Sequence, residues 1–192
     1  MGRGNSVEVE LKYLGADLAE VRRRLMAAGA TLAGPRELET NAVFDDKDGS
    51  LKQTERLLRL RNGVELTVKL PVADSEFKAR REITVMATGG DVEDLLGGLG
   101  FTPTWKYEKY REGWDLDGMF VTLDEMPFVG HVVEIEGDRE KIDATAAILG
   151  LEGVKTSTAS YRAVYDEYVI AEGLKPGNMT FAEEAAAGGD QA

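Results

Sequence analysis

Polar and apolar residues alternate through several short runs of this chain. In residues 7–13, VEVELKY, the apolar Val7, Val9 and Leu11 interleave with Glu8, Glu10 and Lys12. A period of two marks a β-strand whose faces differ, and it predicts strands over 6–13, 40–46, 56–61, 64–70, 79–86, 105–116, 119–124 and 131–137. Asn62-Gly63 and Asp117-Gly118 stand between consecutive runs, and both dipeptides favour the tight turn of a β-hairpin. A helical period appears over 16–29, where Leu18, Val21, Leu25 and Met26 share a side, Asp17 is placed to cap and Gly29 to stop. Further helices are expected over 91–99, 138–149 and 157–171. Strands joined by short hairpins, with helices between them, predict an α+β protein: an antiparallel barrel or strongly curved sheet with helices packed outside. One domain is expected over 1–172, followed by a disordered acidic tail over 173–192, where Gly, Ala and acids dominate.

The charged sides of these strands are sorted. Alternation groups Glu8 with Glu10 and Lys12, Arg59 with Arg61, Glu65 with Thr67 and Lys69, and Arg80 with Glu82 and Thr84. It also groups Lys109 with Arg111, Thr122 with Asp124, and Glu134 with Glu136. A solvated face usually mixes such residues loosely, whereas here arginine-heavy pairs and carboxylate pairs recur at i, i+2. An eight-stranded barrel with a polar lumen accounts for this: Lys12, Arg59, Arg61, Lys69, Arg80, Lys109 and Arg111 would line it with Glu8, Glu10, Glu82, Glu134 and Glu136. Unpaired like charges repel at reduced dielectric, so such a lumen calls for a ligand. Forked guanidinium contacts match phosphate. Carboxylates beside a phosphate need a cation between them, and oxygen donors at Glu8, Glu10, Glu134 and Glu136 suit Mg2+ or Mn2+.

Composition narrows the classes further. The 192 residues contain no cysteine and one histidine, His131, which excludes disulfides, thiolate metal sites and a cysteine nucleophile and leaves little for a histidine-based site. A formal net charge of −12 argues against a general nucleic-acid binder. No run is apolar over the length of a membrane helix and no apolar stretch follows Met1, so a cytoplasmic protein without membrane partners is expected. The acidic surface leaves a homodimer open.

Read in order, EVELK, VFDD, LLRLR, LTVK, RREIT, EKYR, LDEMPFVG and VVEIEG, spread over residues 6–170, resemble the CYTH superfamily of triphosphate tunnel metalloenzymes. That family includes inorganic and thiamine triphosphatases and class IV adenylyl cyclases on an eight-stranded antiparallel tunnel barrel. The resemblance implies metal-binding acids at Glu8 and Glu10, with Glu134 and Glu136 as the second pair and Asp124 as an additional acid. It implies triphosphate contacts from Lys12, Arg59, Arg61, Lys69, Arg80, Lys109 and Arg111, and candidate catalytic groups at Lys12, Lys69, Lys109 and Glu82. Where the family carries a further acid after its R-x-E step, this chain has Thr84.

The expected activity is therefore metal-dependent hydrolysis of a triphosphate: tripolyphosphate, a nucleoside triphosphate or thiamine triphosphate. Bases would hold the phosphates while water attacks a terminal phosphorus in line. A cyclase, in which the ribose 3′-hydroxyl attacks the α-phosphorus, is the alternative, and a polyphosphate or nucleotide sensor without turnover is another. His131 reads as a strand-end residue, Trp105 and Trp114 as packing under the outer helices, and Arg22, Arg23 and Arg24 as a solvated helix face. Ser160 and Tyr161 fit either a tunnel mouth or simple packing.

Overall fold

The computed structural model describes residues 9–71 and 80–189, apart from the Arg80 side chain. Contacts divide the chain into two compact units, one built on Glu39–Tyr107 and the other on Glu8–Leu38 and Glu108–Ala192. Two long strands, β2 (Thr31–Asp46) and β6 (Phe101–Leu116), contribute residues to both.

The larger unit holds β1 (Val9–Leu14), α1 (Leu18–Ala27), β7 (Met119–Met126), β8 (Gly130–Gly137), α4 (Arg139–Ile148), β9 (Lys155–Ser157), α5 (Tyr161–Ala171) and α6 (Phe181–Gly189). Its strands run in the order β6-β7-β8-β1-β9, and their pairings are antiparallel. Period-two alternation turns Leu11, Tyr13, Trp114, Leu116, Val121, Leu123, Val133 and Ile135 to one face. There they pack with Val21 and Leu25 of α1 and Ile142, Ala146 and Leu149 around α4. Each such fully buried side chain is worth roughly 1.5–3 kcal/mol, so this layer fixes which face is apolar. Asp17 caps α1 by accepting from the amides of Ala19 and Glu20, and Asp138 caps α4 through Glu140. Trp114 lies under these helices as expected, its indole N–H donating to Glu112 at 2.7 Å, and Glu112 in turn holds Arg22 of α1.

In the smaller unit, β3 (Leu57–Arg61), β4 (Glu65–Pro71) and β5 (Arg80–Met86) extend the antiparallel order β5-β4-β3-β2, with a short α2 (Ser50–Gln53) and α3 (Val92–Gly98). Ala42, Phe44 and Leu60 pack against Val92 and Leu96 of α3. Both expected turns are present. Asn62 and Gly63 sit at φ 50° and 71°, Asp117 and Gly118 at φ 49° and 80°, the two consecutive positive values of a type I′ hairpin.

The fold class is α+β, antiparallel strands with helices, as the pattern predicts. The elements differ most from the expectation at β2, β6, β9, α2 and α5. β2 begins at Thr31, not residue 40, because Gly34 and Pro35 are carried within the strand; β6 begins at Phe101 rather than 105. β9 and α2 are too short to show a period. α5 starts at Tyr161, not 157, because the Ser160 hydroxyl accepts from the Ala163 amide and sets the cap there. The segment expected to be a disordered tail is structured over its described residues. Met179 is fully buried, its carbonyl accepts from the Glu108 amide at 2.9 Å, and α6 follows with Phe181 against Tyr110.

Candidate functional site

On the side of the larger unit's sheet away from α1 and α4, β1, β6, β7 and β8 present Glu10, Lys12, Lys109, Arg111, Thr122, Asp124 and Glu134. Register places them in rows: Lys12 opposes Glu134, Glu134 opposes Thr122, and Arg111 opposes Asp124. Alternation alone drives this, since the intervening residues belong to the apolar layer. Lys12, Lys109, Asp124 and Glu134 are all buried. Arg111 grips Asp124 through Nε at 2.7 Å and Nη2 at 2.6 Å, and its Nη2 also reaches Glu134 Oε2 at 2.9 Å. Lys12 bridges Glu10 at 2.7 Å and Glu134 at 2.9 Å, and Lys109 lies 3.3 Å from Asp124.

Tyr161, the first residue of α5, enters this cluster. Its hydroxyl donates to Asp124 Oδ2 at 2.6 Å, with Glu134 Oε2 at 3.1 Å, and receives Arg111 Nη2 at 3.2 Å. Its ring covers both lysines, 5.1 Å from Lys12 Nζ and 4.5 Å from Lys109 Nζ.

Burial pushes the carboxyls of Asp124 and Glu134 upward, but the neighbouring bases outweigh it and hold both below their ordinary values: Arg111 and Lys109 for Asp124, Lys12 and Arg111 for Glu134. Conversely, burial would lower Lys12, yet Glu134 and Glu10 leave it raised; Arg111 is likewise raised by Asp124. Lys12, Arg111, Asp124 and Glu134 are therefore charged at neutral pH. Tyr161 is pushed well above its ordinary value by burial and by the two carboxylates, so it remains a protonated donor.

The smaller unit carries a second cluster. Arg61 opposes Asn41 and Glu65, Arg59 opposes Thr67, and Lys69 opposes Glu82. Arg61 pairs with Glu39 at 3.2 Å and Glu65 at 3.1 Å, and Lys69 with Glu82 at 2.5 Å. Thr67 and Thr84 share a hydrogen bond at 2.9 Å, so Thr84, which stands where the family pattern has an acid, is tied to the neighbouring strand. Trp105 stacks on Tyr107 at 4.7 Å between centroids, on the alternate side of β6 from Trp114. Tyr107 in turn is hydrogen-bonded to Arg59. Arg59 Nε and Thr122 Oγ1 are buried without a hydrogen-bond partner among the described residues.

The structure thus gathers Glu10, Lys12, Lys109, Arg111, Asp124 and Glu134 in one unit and Arg59, Arg61, Lys69 and Glu82 in the other. Glu136 lies on β8 opposite Glu10. Glu8 and the Arg80 side chain lie outside the described residues. Sequence reasoning missed Glu39 and Asn41, buried members of the second cluster joined at 2.9 Å. Their i, i+2 spacing at the start of a predicted strand was the available signal. Tyr161 was seen but not placed.

No three Asp, Glu or His side chains converge at coordinating distance among the described residues. In kind, however, the donors fit a hard divalent cation: Glu10 and Glu136 face each other in register, with Glu134 two residues from Glu136 on the same side, all of them oxygen ligands.

The fold is antiparallel α+β, with an ion-paired polar face in each unit. The CYTH domain family matches residues 6–161, most of the chain, and the protein belongs to that family, whose fold is the tunnel barrel that the charge sorting predicts. Among solved structures, the PH1819 protein of Pyrococcus horikoshii is 30% identical, with a TM-score of 0.63 over 83% of this chain and 98% of that one. A Vibrio parahaemolyticus protein named as a candidate adenylate cyclase is 19% identical, with a TM-score of 0.69 over 84% of this chain and 99% of that one. The Hippeastrum protein HpAC1, described as a candidate adenylyl cyclase with a dominant triphosphatase activity, is 17% identical, with a TM-score of 0.53 over 88% of this chain and 96% of its own. No curated protein matches.

Proposed function

We propose that this protein is a metal-dependent triphosphatase acting on tripolyphosphate or an organic triphosphate. The observation that carries the reading is the Lys12, Lys109, Arg111, Asp124 and Glu134 cluster, in which bases and acids are mutually satisfied yet of opposite use. A triphosphate offers Lys12, Lys109 and Arg111 acceptors as good as the carboxylates they now hold. Drawing those bases to phosphate releases the acids. Glu10, Glu134 and Glu136, with Glu8 as the other acid of the motif, would hold Mg2+ or Mn2+, and Asp124 stands beside them. The cation supplies neutralisation of charge on phosphate oxygens when bound.

On the resemblance, Arg59, Arg61 and Arg80 are assigned to triphosphate contacts. On the resemblance, Lys12, Lys69 and Lys109 would stabilise the charge that develops on the transferred group and the leaving oxygen. Glu82, joined to Lys69, would orient that lysine and accept a proton from the attacking water. Hydrolysis needs only bases that hold phosphate and acids that hold a cation. A cyclase additionally requires recognition of adenine and alignment of a ribose hydroxyl.

Purified protein incubated with tripolyphosphate, ATP or thiamine triphosphate, each with Mg2+ or Mn2+, and followed by phosphorus NMR tests this. Orthophosphate release that disappears in chelator and in Glu10→Gln is expected. Cyclic AMP and pyrophosphate as the products from ATP would replace the reading with a cyclase. Binding without turnover would replace it with a sensor.

A further inference from the structure

We propose that Tyr161 is a positioning residue of this site, its hydroxyl orienting Asp124 and Glu134 toward a divalent cation and its ring holding Lys12 and Lys109 toward the anion. The inference rests on the metal-dependent reading above.

A phenol has one proton to give and lone pairs to accept with. Arg111 Nη2 uses an acceptor position at 3.2 Å, and the proton goes to Asp124 Oδ2 at 2.6 Å, with Glu134 Oε2 within reach at 3.1 Å. Two carboxylates on neighbouring strands are thus brought to one oxygen. Asp124 opposes Val132 and Glu134 opposes Thr122, so strand pairing alone does not join these acids directly.

Charge separates Tyr161 from the other donors on the acids. Lys12, Lys109 and Arg111 are cations, which a bound triphosphate competes for. A neutral phenol is held less strongly by phosphate and stays with the acids. It preserves their orientation at the step when their other partners leave, as outer-shell donors do around metal ligands. The ring acts on the other side of the exchange, lying 4.5 Å and 5.1 Å from the two ammonium groups. Packing alone would be met by phenylalanine, which fills the same space without bringing a polar tip among buried charges. The position is set from outside the cluster, since the Ser160 cap fixes where α5 begins.

The test compares wild type, Tyr161→Phe and Tyr161→Leu. Mn2+ binding to protein in excess over a bound non-hydrolysable imido analogue of tripolyphosphate is read from the electron paramagnetic resonance of free Mn2+, and tripolyphosphate binding by calorimetry in metal-free buffer. Tyr161→Phe is expected to weaken Mn2+ about 10–100-fold while leaving metal-free tripolyphosphate binding intact. Tyr161→Leu is expected to weaken both. Unchanged Mn2+ affinity in Tyr161→Phe, beside a wild type that binds Mn2+, overturns the proposal, and a lowered melting temperature without an affinity change assigns the residue to structure alone. A wild type that binds neither Mn2+ nor tripolyphosphate overturns the underlying reading, and the role of Tyr161 with it.

Discussion

Asp124 shows how a single residue on the charged face serves both stability and site. It is fully buried, and Arg111, Lys109 and Tyr161 occupy its oxygens. Removing one partner of a buried ion pair leaves the other charges uncompensated, at a cost of roughly 3–5 kcal/mol. Asp124→Ala is expected to lower unfolding stability by about that amount, measured by denaturant titration at pH 7. Because Asp124 and Glu134 are both held below their ordinary values of 3.8 and 4.5, their contribution is complete above those values and is lost as pH falls below them. Wild-type stability should therefore drop as pH descends through and below this range. Asp124→Ala should show a smaller drop, and an identical acid profile would remove Asp124 from the account. Polar-face residues such as Arg59, Lys109 and Glu134 were legible in the sequence because alternation needs only the side of a strand. Their partners were not, because pairing depends on register between distant strands.

At the scale of elements, legibility followed length and periodicity. β7, β8, α1 and α4 each bury a regular set of positions and were placed within a few residues. The beginning of β2 was hidden because Gly34 and Pro35 resemble a turn when read locally, and β9 is only three residues long. α6 was hidden by composition, since its Gly and Ala content resembles a tail. The signal was Thr180 and Glu183 at capping spacing, and the Glu183 amide does donate to Thr180 Oγ1 at 3.2 Å. The consequence is testable through Met179, which has no exposed surface. Met179→Ala should cost about 2–5 kcal/mol in a denaturant midpoint series, the range for a buried methionine. A loose tail would register less than about 0.5 kcal/mol.

For the whole molecule, the decisive contrast is between net charge and where charge is placed. The chain carries a formal −12, yet buries Lys12, Arg59 and Lys109 on faces assigned to a polyanion. At about 0.01 M salt the screening length is near 30 Å and the acidic surface opposes an approaching triphosphate; at about 0.15 M it is near 8 Å and only the local bases remain in range. The kcat/KM for tripolyphosphate is expected to rise across that interval, where a protein with a basic exterior would show a fall. Steady-state assays at constant free Mg2+ decide it.

The strict two-sidedness of the strands also bears on which changes of chain length this fold tolerates. In β7, neighbouring side chains take opposite sides, Val121 and Leu123 packing with α1 and α4 while Thr122 and Asp124 face the ions. Losing one residue within β7 would invert everything beyond it, sending Val121 and Leu123 toward the ions and Asp124 into the layer under α1 and α4. Losing two would keep parity and shift each side chain by one rung. Insertions and deletions of one residue within these strands are therefore expected to require a bulge, while changes of two keep parity. Natural variation in length is the record in which that parity rule would be written.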